Sequence, residues 1–296
     1  MTPIPERFRP ILQAAAAGDL PPRIAFMRLA MEATDPAELQ SVLDRAVGAG
    51  ENNAHLLQLR TVAAENPEGW HMVKSVLAAV AHDLQASADP AERLRTVAAM
   101  FDRAATISPE ASVALYSLGD AAELAHSANE VSDYLVAQGV VGPNRRVLEI
   151  GCGIGRFLVS LAPRVQEIVG LDLSPVMIAE AQRRITALPN AEARITSGLN
   201  LSEFKNETFD TVLAIDSFPY VIDAGGALPR TMFTEASRVL RPGGDLVICN
   251  FSYRGDPDRD RHDAETLGHA AGLELRLAGE RPFRLWDGTV FRLGKA

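Results

Sequence analysis

The residues Gly151-Cys152-Gly153-Ile154-Gly155 follow an apolar run, RVLEI, and lead into a helical stretch that starts near Arg156. A glycine-rich turn between a strand and a helix lets backbone approach a ligand closely and points unpaired helix N–H groups at it, so something polar docks there. The dinucleotide spacing G-x-G-x-x-G would need glycine at 156, where Arg156 stands, and no GK[ST] completes a phosphate loop. Acids flank the loop instead: Glu149 precedes it and Asp172 ends the next apolar run. A carboxylate at the tip of a second strand suits a ribose diol, and one beside the glycine loop suits an ammonium group better than a phosphate. Ribose plus ammonium points to an aminoacyl-type nucleoside.

Groups acting on such a ligand belong on loops that leave the carboxyl ends of the strands. Three regions qualify. Asp216-Ser217-Phe218-Pro219-Tyr220 follows the fourth apolar run and offers Asp216 as base or hydrogen-bond acceptor; Asn250 to Asp263 follows the fifth and contributes Tyr253; Tyr116-Ser117-Leu118-Gly119-Asp120 precedes the first. Three of the four tyrosines, Tyr116, Tyr220 and Tyr253, fall on these regions, and Trp286 is a further aromatic candidate. Aromatic walls suit a flat or cationic small acceptor. The rest of the charged 250–263 segment reads as a solvated loop. His262 and His269, seven apart on a helical stretch, make no metal site without further ligands, and no metal is expected.

The elements that must position these groups are legible. RVLEIG, EIVGLDL, ARITS, FDTVLAI and GDLVICNF are short β-rich apolar runs, and helical stretches at about 155–164, 175–187 and 228–240 separate them. This alternation predicts an α/β, doubly wound, mostly parallel sheet. RPGG (241–244) reads as a turn into the fifth strand. LELRLAG and TVFRLG read as two more strands, with Asp287-Gly288 a hairpin signal between FRLW and TVFRL, so either FRLW or LELRLAG is the main partner of the last strand. Before Ser108-Pro109 the chain reads as six helices. Asp35-Pro36-Ala37-Glu38 and Asp89-Pro90-Ala91-Glu92 are helix starts, and Trp70, Val73, Leu77, Val80 and Leu84 recur at helical spacing. The expected division is a helical domain over 1–107, serving as lid or oligomerisation module, and a catalytic α/β domain over 108–296.

The runs VLEIGCGIGRF, VGLDLSPVMI, FDTVLAIDSF and VLRPGGDLVI, in that order, resemble the successive motifs of class I S-adenosylmethionine-dependent methyltransferases, over roughly residues 110–296. The resemblance implies a seven-stranded Rossmann-like sheet with an antiparallel last strand, preceded here by an all-α N-terminal domain. By position it implies that Glu149 and the loop residues Gly151, Cys152, Gly153 and Gly155 hold the methionyl part of S-adenosylmethionine. Asp172 takes the ribose hydroxyls and Leu173 lies against the adenine. Gly198 stands where many members carry an acid, so the backbone of Gly198 and Leu199 would read the ring. Asp216 borders the cofactor as well as the acceptor, and the helix near Tyr116 lids the site. The 216–220 segment loosely resembles the [DN]PP[YF] loop of amino-group methyltransferases, with one extra residue and a single proline.

Methyl transfer from a sulfonium is an in-line displacement in which alignment supplies much of the acceleration, and an acceptor that must lose a proton gains from a nearby carboxylate or Tyr. The expected catalytic residues are therefore Asp216, Tyr220 and Tyr253. The implied activity is transfer to O or N of a small molecule or small peptide. The same binding residues also fit a sensor or scaffold that holds S-adenosylmethionine or S-adenosylhomocysteine without turnover.

Composition narrows the partners. With 47% hydrophobic and 23% charged residues the chain can bury a core. Cys152 and Cys249 cannot staple 296 residues, so a reducing compartment is expected. A net charge of -9 repels polyphosphate, which argues against nucleic acid. No apolar run is long enough for a membrane span and MTPIPERFRP lacks a secretory stretch, so a cytoplasmic protein, with a homodimer possible, is the expectation.

Overall fold

The computed structural model describes residues 3–50, 53–80 and 89–296. Leu84, the last position of the expected helical stripe, lies outside them. Contacts divide the chain into two compact units: Met1–His82 with Ala104–Leu124 and Arg284–Asp287, and Asp83–Arg103 with Ala125–Phe283 and Gly288–Ala296.

The first unit is helical. It contains α1 (Arg9–Ala17), α2 (Pro22–Glu32), α3 (Pro36–Ala49), α4 (Ala54–Glu65), α5 (Gly69–Val80), the last residues of α6 (Pro90–Ile107), α7 (Pro109–Val113) and the start of α8 (Ala121–Ala137). The Asp-Pro signatures act as read: Asp35 accepts from the Glu38 N–H at 2.8 Å and Asp89 from the Ala91 N–H at 3.0 Å. Ile24, Ala25, Phe26, Leu29 and Ala30 on α2 are buried because α1, α3, α4 and α5 all pack on that helix. The hairpin expectation at Asp287-Gly288 is corrected, since LELRLAG and not FRLW pairs with the last strand. Arg284 and Leu285 form a bend, and Asp287 accepts from Arg28 rather than turning a hairpin.

The second unit is a seven-stranded sheet in the order β3-β2-β1-β4-β5-β7-β6. Its strands are β1 (Arg146–Ile150), β2 (Glu167–Asp172), β3 (Ala191–Ile195), β4 (Phe209–Ile215), β5 (Leu240–Cys249), β6 (Leu273–Glu280) and β7 (Val290–Lys295). All neighbouring pairs are parallel except those made by β7, which runs antiparallel to both β5 and β6. Successive residues Val147 and Leu148 are both fully buried, so both faces of the sheet are covered. The connecting helices include α9 (Arg156–Leu161), α10 (Pro175–Ile185), α11 (Phe218–Ala224), α12 (Leu228–Val239) and α13 (Pro257–Ala270).

Three local readings change. RPGG is not a turn before β5 but a bulge within it: pairing with β4 steps from Phe209↔Leu240 to Thr211↔Asp245, and Gly243 takes a φ of 75° to close the excursion. The 216–220 segment is a loop only as far as Ser217, since α11 begins at Phe218. The second half of the charged run 250–263 is the first half of α13, started by Asp256, whose carboxylate accepts from the Arg259 N–H, with Pro257 at the first position.

Strand order reverses beside β1, with β2 and β3 on one side and β4 and β5 on the other. The crevice at the carboxyl ends of such a sheet is where ligands bind.

Candidate active site

The loop after β1 is built by backbone hydrogen bonds. The Gly151 and Cys152 N–H groups both donate to Leu171 O, at 2.7 and 2.9 Å, tying the loop to β2. Gly151, Gly153 and Gly155 have φ of 76°, 52° and 79°. At Gly151 the requirement is also steric, because a Cβ would lie 2.2 Å from Ser217 Cβ. Ser217 is held there by its own hydroxyl, which donates to Ile150 O. The Cys152 thiol turns into the sheet against Gly170, and burial together with Asp172 and Glu149 raises its pKa. Its contribution to the loop is backbone shape.

Two acids face this loop. Asp172 accepts from the Gly153 N–H (2.8 Å) through one oxygen and from the Ser174 N–H (2.9 Å) through the other. Burial raises its pKa, against the pull of those N–H groups. Glu149 is 1% exposed, and its Oε2 has no hydrogen-bond partner. Burial pushes this carboxyl up to about 8; nearby Arg156 lowers it and Asp172 raises it further. Arg156, 8% exposed, lies with its guanidinium 4.6 Å from the centroid of the Phe157 ring.

A second cluster sits at the ends of β4 and β5. Asp216 Oδ1 accepts from Tyr253 OH at 2.6 Å and from Asn250 Nδ2 at 2.8 Å. Asp216 and Asn250 both hold left-handed φ, 61° and 62°, which short polar side chains tolerate. Asn250 is fixed in turn by the residue that leads into β7: its Oδ1 accepts from the Thr289 N–H (3.0 Å) and its N–H donates to Thr289 O (2.8 Å). Arg254 pins the loop to α13 through Asp260 and Asp263, placing Tyr253 beside Asp216. The Tyr220 ring meets Tyr253 edge to face at 5.9 Å, and burial followed by the Asp216 charge keeps the Tyr220 phenol protonated.

The part of α6 that belongs to this unit contributes a third layer. Asp102 accepts from the Ser174 hydroxyl and from the Val176 N–H, Phe101 meets Tyr220 edge to face at 5.3 Å, and Leu94 packs on Gly198. The helix therefore touches the segments that follow β2, β3 and β4 in succession.

Residues 147–244 match a family model described as a methyltransferase domain. These residues form a methyltransferase domain. Among curated relatives, the demethylmenaquinone methyltransferase of Tropheryma whipplei (strain Twist) is 34% identical over 113 residues, covering 38% of this chain and 44% of that one. The phosphatidylethanolamine N-methyltransferase of Cereibacter sphaeroides is 34% identical over 136 residues, 45% of this chain and 58% of that one. The ubiquinone biosynthesis O-methyltransferase of Hahella chejuensis is 29% identical over 111 residues, 37% and 44%. The chain spans about half the length of the curated relatives it matches.

In the methyltransferase domain, Glu149, the glycine loop, Asp172, Leu173, Gly198 and Leu199 lie on the carboxyl edge of the sheet, and Asp216, Tyr220 and Tyr253 form one cluster there. Tyr116 and Trp286 are buried in the other unit. Sequence reasoning missed Leu94, Phe101 and Asp102, which stand more than 40 residues before β1, and Asn250, which sits inside the run read as a solvated loop. A groove of about 410 Å³, lined by Asn200, Ser202, Arg230, Thr231, Thr234 and Glu235, contains none of the site residues. Perturbed acids and converging side chains, rather than volume, mark the strand ends as the candidate site. Among the described residues no group of three or more His, Cys, Asp or Glu could hold a metal ion, and no helix is long and apolar enough to cross a membrane.

Proposed function

We propose that this chain transfers a methyl group from S-adenosylmethionine to O or N of a small molecule or small peptide. The observation that carries the reading is Glu149 Oε2, a buried acceptor with no donor, beside the glycine loop of the methyltransferase domain. An unpaired buried acceptor costs on the order of 1–3 kcal/mol, which an ammonium donor at that point removes. The rest of the edge fits the same ligand. The Asp172 oxygens accept the Gly153 and Ser174 N–H groups, and the carboxylate has further lone pairs with which to take the hydroxyls of a ribose. Leu173 and the backbone of Gly198 and Leu199 line the adenine end.

When bound, S-adenosylmethionine supplies an electrophilic methyl on a sulfonium with a neutral leaving group. The chain's part is alignment and proton handling. Tyr253 OH and Asn250 hold one oxygen of Asp216, which leaves Oδ2 for a donor on the acceptor molecule. Asp216 accepts the proton that an acceptor gives up, and Tyr220 and Tyr253 wall the approach. This pairing of a binding loop with a held carboxylate on one edge favours turnover over a sensor.

The test measures S-adenosylhomocysteine binding by calorimetry and its release across a metabolite library. Binding and release together support the proposal. Binding with no release from any acceptor moves the assignment to a sensor or scaffold, and absence of binding overturns it.

A further inference from the structure

We propose that the edge where Phe101, Tyr220 and Tyr253 meet over Asp216 takes an amine, presented as an alkylammonium group, as methyl acceptor; this rests on the methyltransferase reading above. The three rings come from three separate segments, α6, α11 and the loop after β5. Their planes cross at 81° for Phe101 and Tyr220, with centroids 5.3 Å apart, and at 83° for Tyr220 and Tyr253, 5.9 Å apart. Rings set perpendicular to one another form a corner rather than a slot, and their faces attract a cation.

Charge points the same way. Both side-chain hydrogen bonds to Asp216 fall on Oδ1, so Oδ2 is left to receive an N–H. Asp102 and Asp172 also lie on this edge, and the buried cation Arg156 acts on both Glu149 and Tyr253. A cationic acceptor meets the Asp216 carboxylate here, and a neutral alcohol would gain little from the rings. Tyr253 is 59% exposed, so this wall is open to an incoming molecule while its hydroxyl holds Asp216.

The reaction balances without a further reagent. The ammonium gives a proton to Asp216, and the freed nitrogen lone pair forms the new C–N bond. The methyl–sulfur bond breaks with its electron pair passing to sulfur, and Asp216 returns the proton to water.

The experiment compares matched cations and uncharged isosteres of increasing size, beginning with choline and 3,3-dimethyl-1-butanol, by calorimetry on the full chain saturated with S-adenosylhomocysteine. In parallel, primary and secondary amines and their alcohol counterparts are assayed for S-adenosylhomocysteine release. At least one cation is expected to bind about tenfold tighter than its isostere. That preference should disappear in Asp216→Asn and Tyr253→Leu and persist in Tyr253→Phe, which keeps the ring. Phe101→Leu, expected to reduce it, serves where another variant melts early. Equal affinities within every pair, binding of neither member, or release with alcohols but not amines overturns the amine proposal and leaves the methyltransferase reading standing. Failure of S-adenosylhomocysteine itself to bind overturns that reading instead.

Discussion

Asp102 and Ser174 stand 72 residues apart and share a hydrogen bond, the Ser174 hydroxyl donating to Asp102 Oδ1. Ser174 itself accepts from the Met177 N–H, and Asp102 accepts from the Val176 N–H, so two side chains from distant segments satisfy the first turn of α10. The same helix turn follows Asp172, and α6 is thereby anchored at the ribose end of the expected cofactor site. Replacing Asp102 by Ala should cost about 1–2 kcal/mol through the lost cap and hydrogen bonds, with Asp102→Asn recovering part of it. Denaturant unfolding followed by circular dichroism measures the loss. Calorimetry should show weaker S-adenosylhomocysteine binding in the Ala variant, and an unchanged affinity would mean that α6 does not support the site.

Glu149 makes stability depend on pH. Its folded pKa, about 8, lies above that of an ordinary carboxyl. Between about pH 4.5 and about pH 8 the unfolded chain has released this proton while the folded chain keeps it, so the folded state holds more protons and stability falls as pH rises. The melting temperature should therefore decline across that window, with Asp172, also raised, contributing in the same sense. Glu149→Gln should flatten the decline and weaken S-adenosylmethionine binding. Melts at a series of pH values would contradict the assignment if the variant kept the wild-type slope.

Asp172→Ala should weaken S-adenosylmethionine binding by at least about tenfold, on the order of 1.4 kcal/mol. The variant loses the ribose acceptor and also frees the Gly153 and Ser174 N–H groups that Asp172 now holds. Titration calorimetry reads the effect, and an affinity equal to wild type would remove Asp172 from the site.

Gly151→Ala should be severe for two independent reasons. The left-handed φ of 76° costs a side chain roughly 1–2 kcal/mol, and the added Cβ would collide with Ser217 Cβ at 2.2 Å. Ser217→Gly in the same chain should relieve the collision but not the backbone cost, giving partial recovery of the melting temperature. Full recovery would show that the backbone conformation is not demanding.

The sheet and the glycine loop were legible because their determinants are local. RVLEI running into Gly151-Cys152-Gly153-Ile154-Gly155 specifies strand, turn and helix within a dozen residues. Asp172 follows from its place at the end of the next strand. Other segments carry a local pattern that allows two outcomes. The start of α13 carries the Asp-Pro signature seen at α3 and α6, yet its charge favoured a loop reading. It is helical because Ala264 is fully buried and Gly268 comes close to Leu293 on β7. FRLW has a strand-like pattern, but β7 has only two edges and β5 and β6 occupy both, so no pairing site was left for it.

What the sequence by itself determined is the α/β sheet, the loop after β1 and the two acids beside it, since neighbouring residues alone impose those backbone shapes. Tertiary structure decided which side chains face that loop from afar. Phe101 and Asp102 reach the site only because α6 docks across the strand ends, and Tyr253 reaches Asp216 because Arg254 fastens its loop to α13. Such pairs are selected by packing and hydrogen-bond geometry between segments tens of residues apart, and no local spacing encodes them.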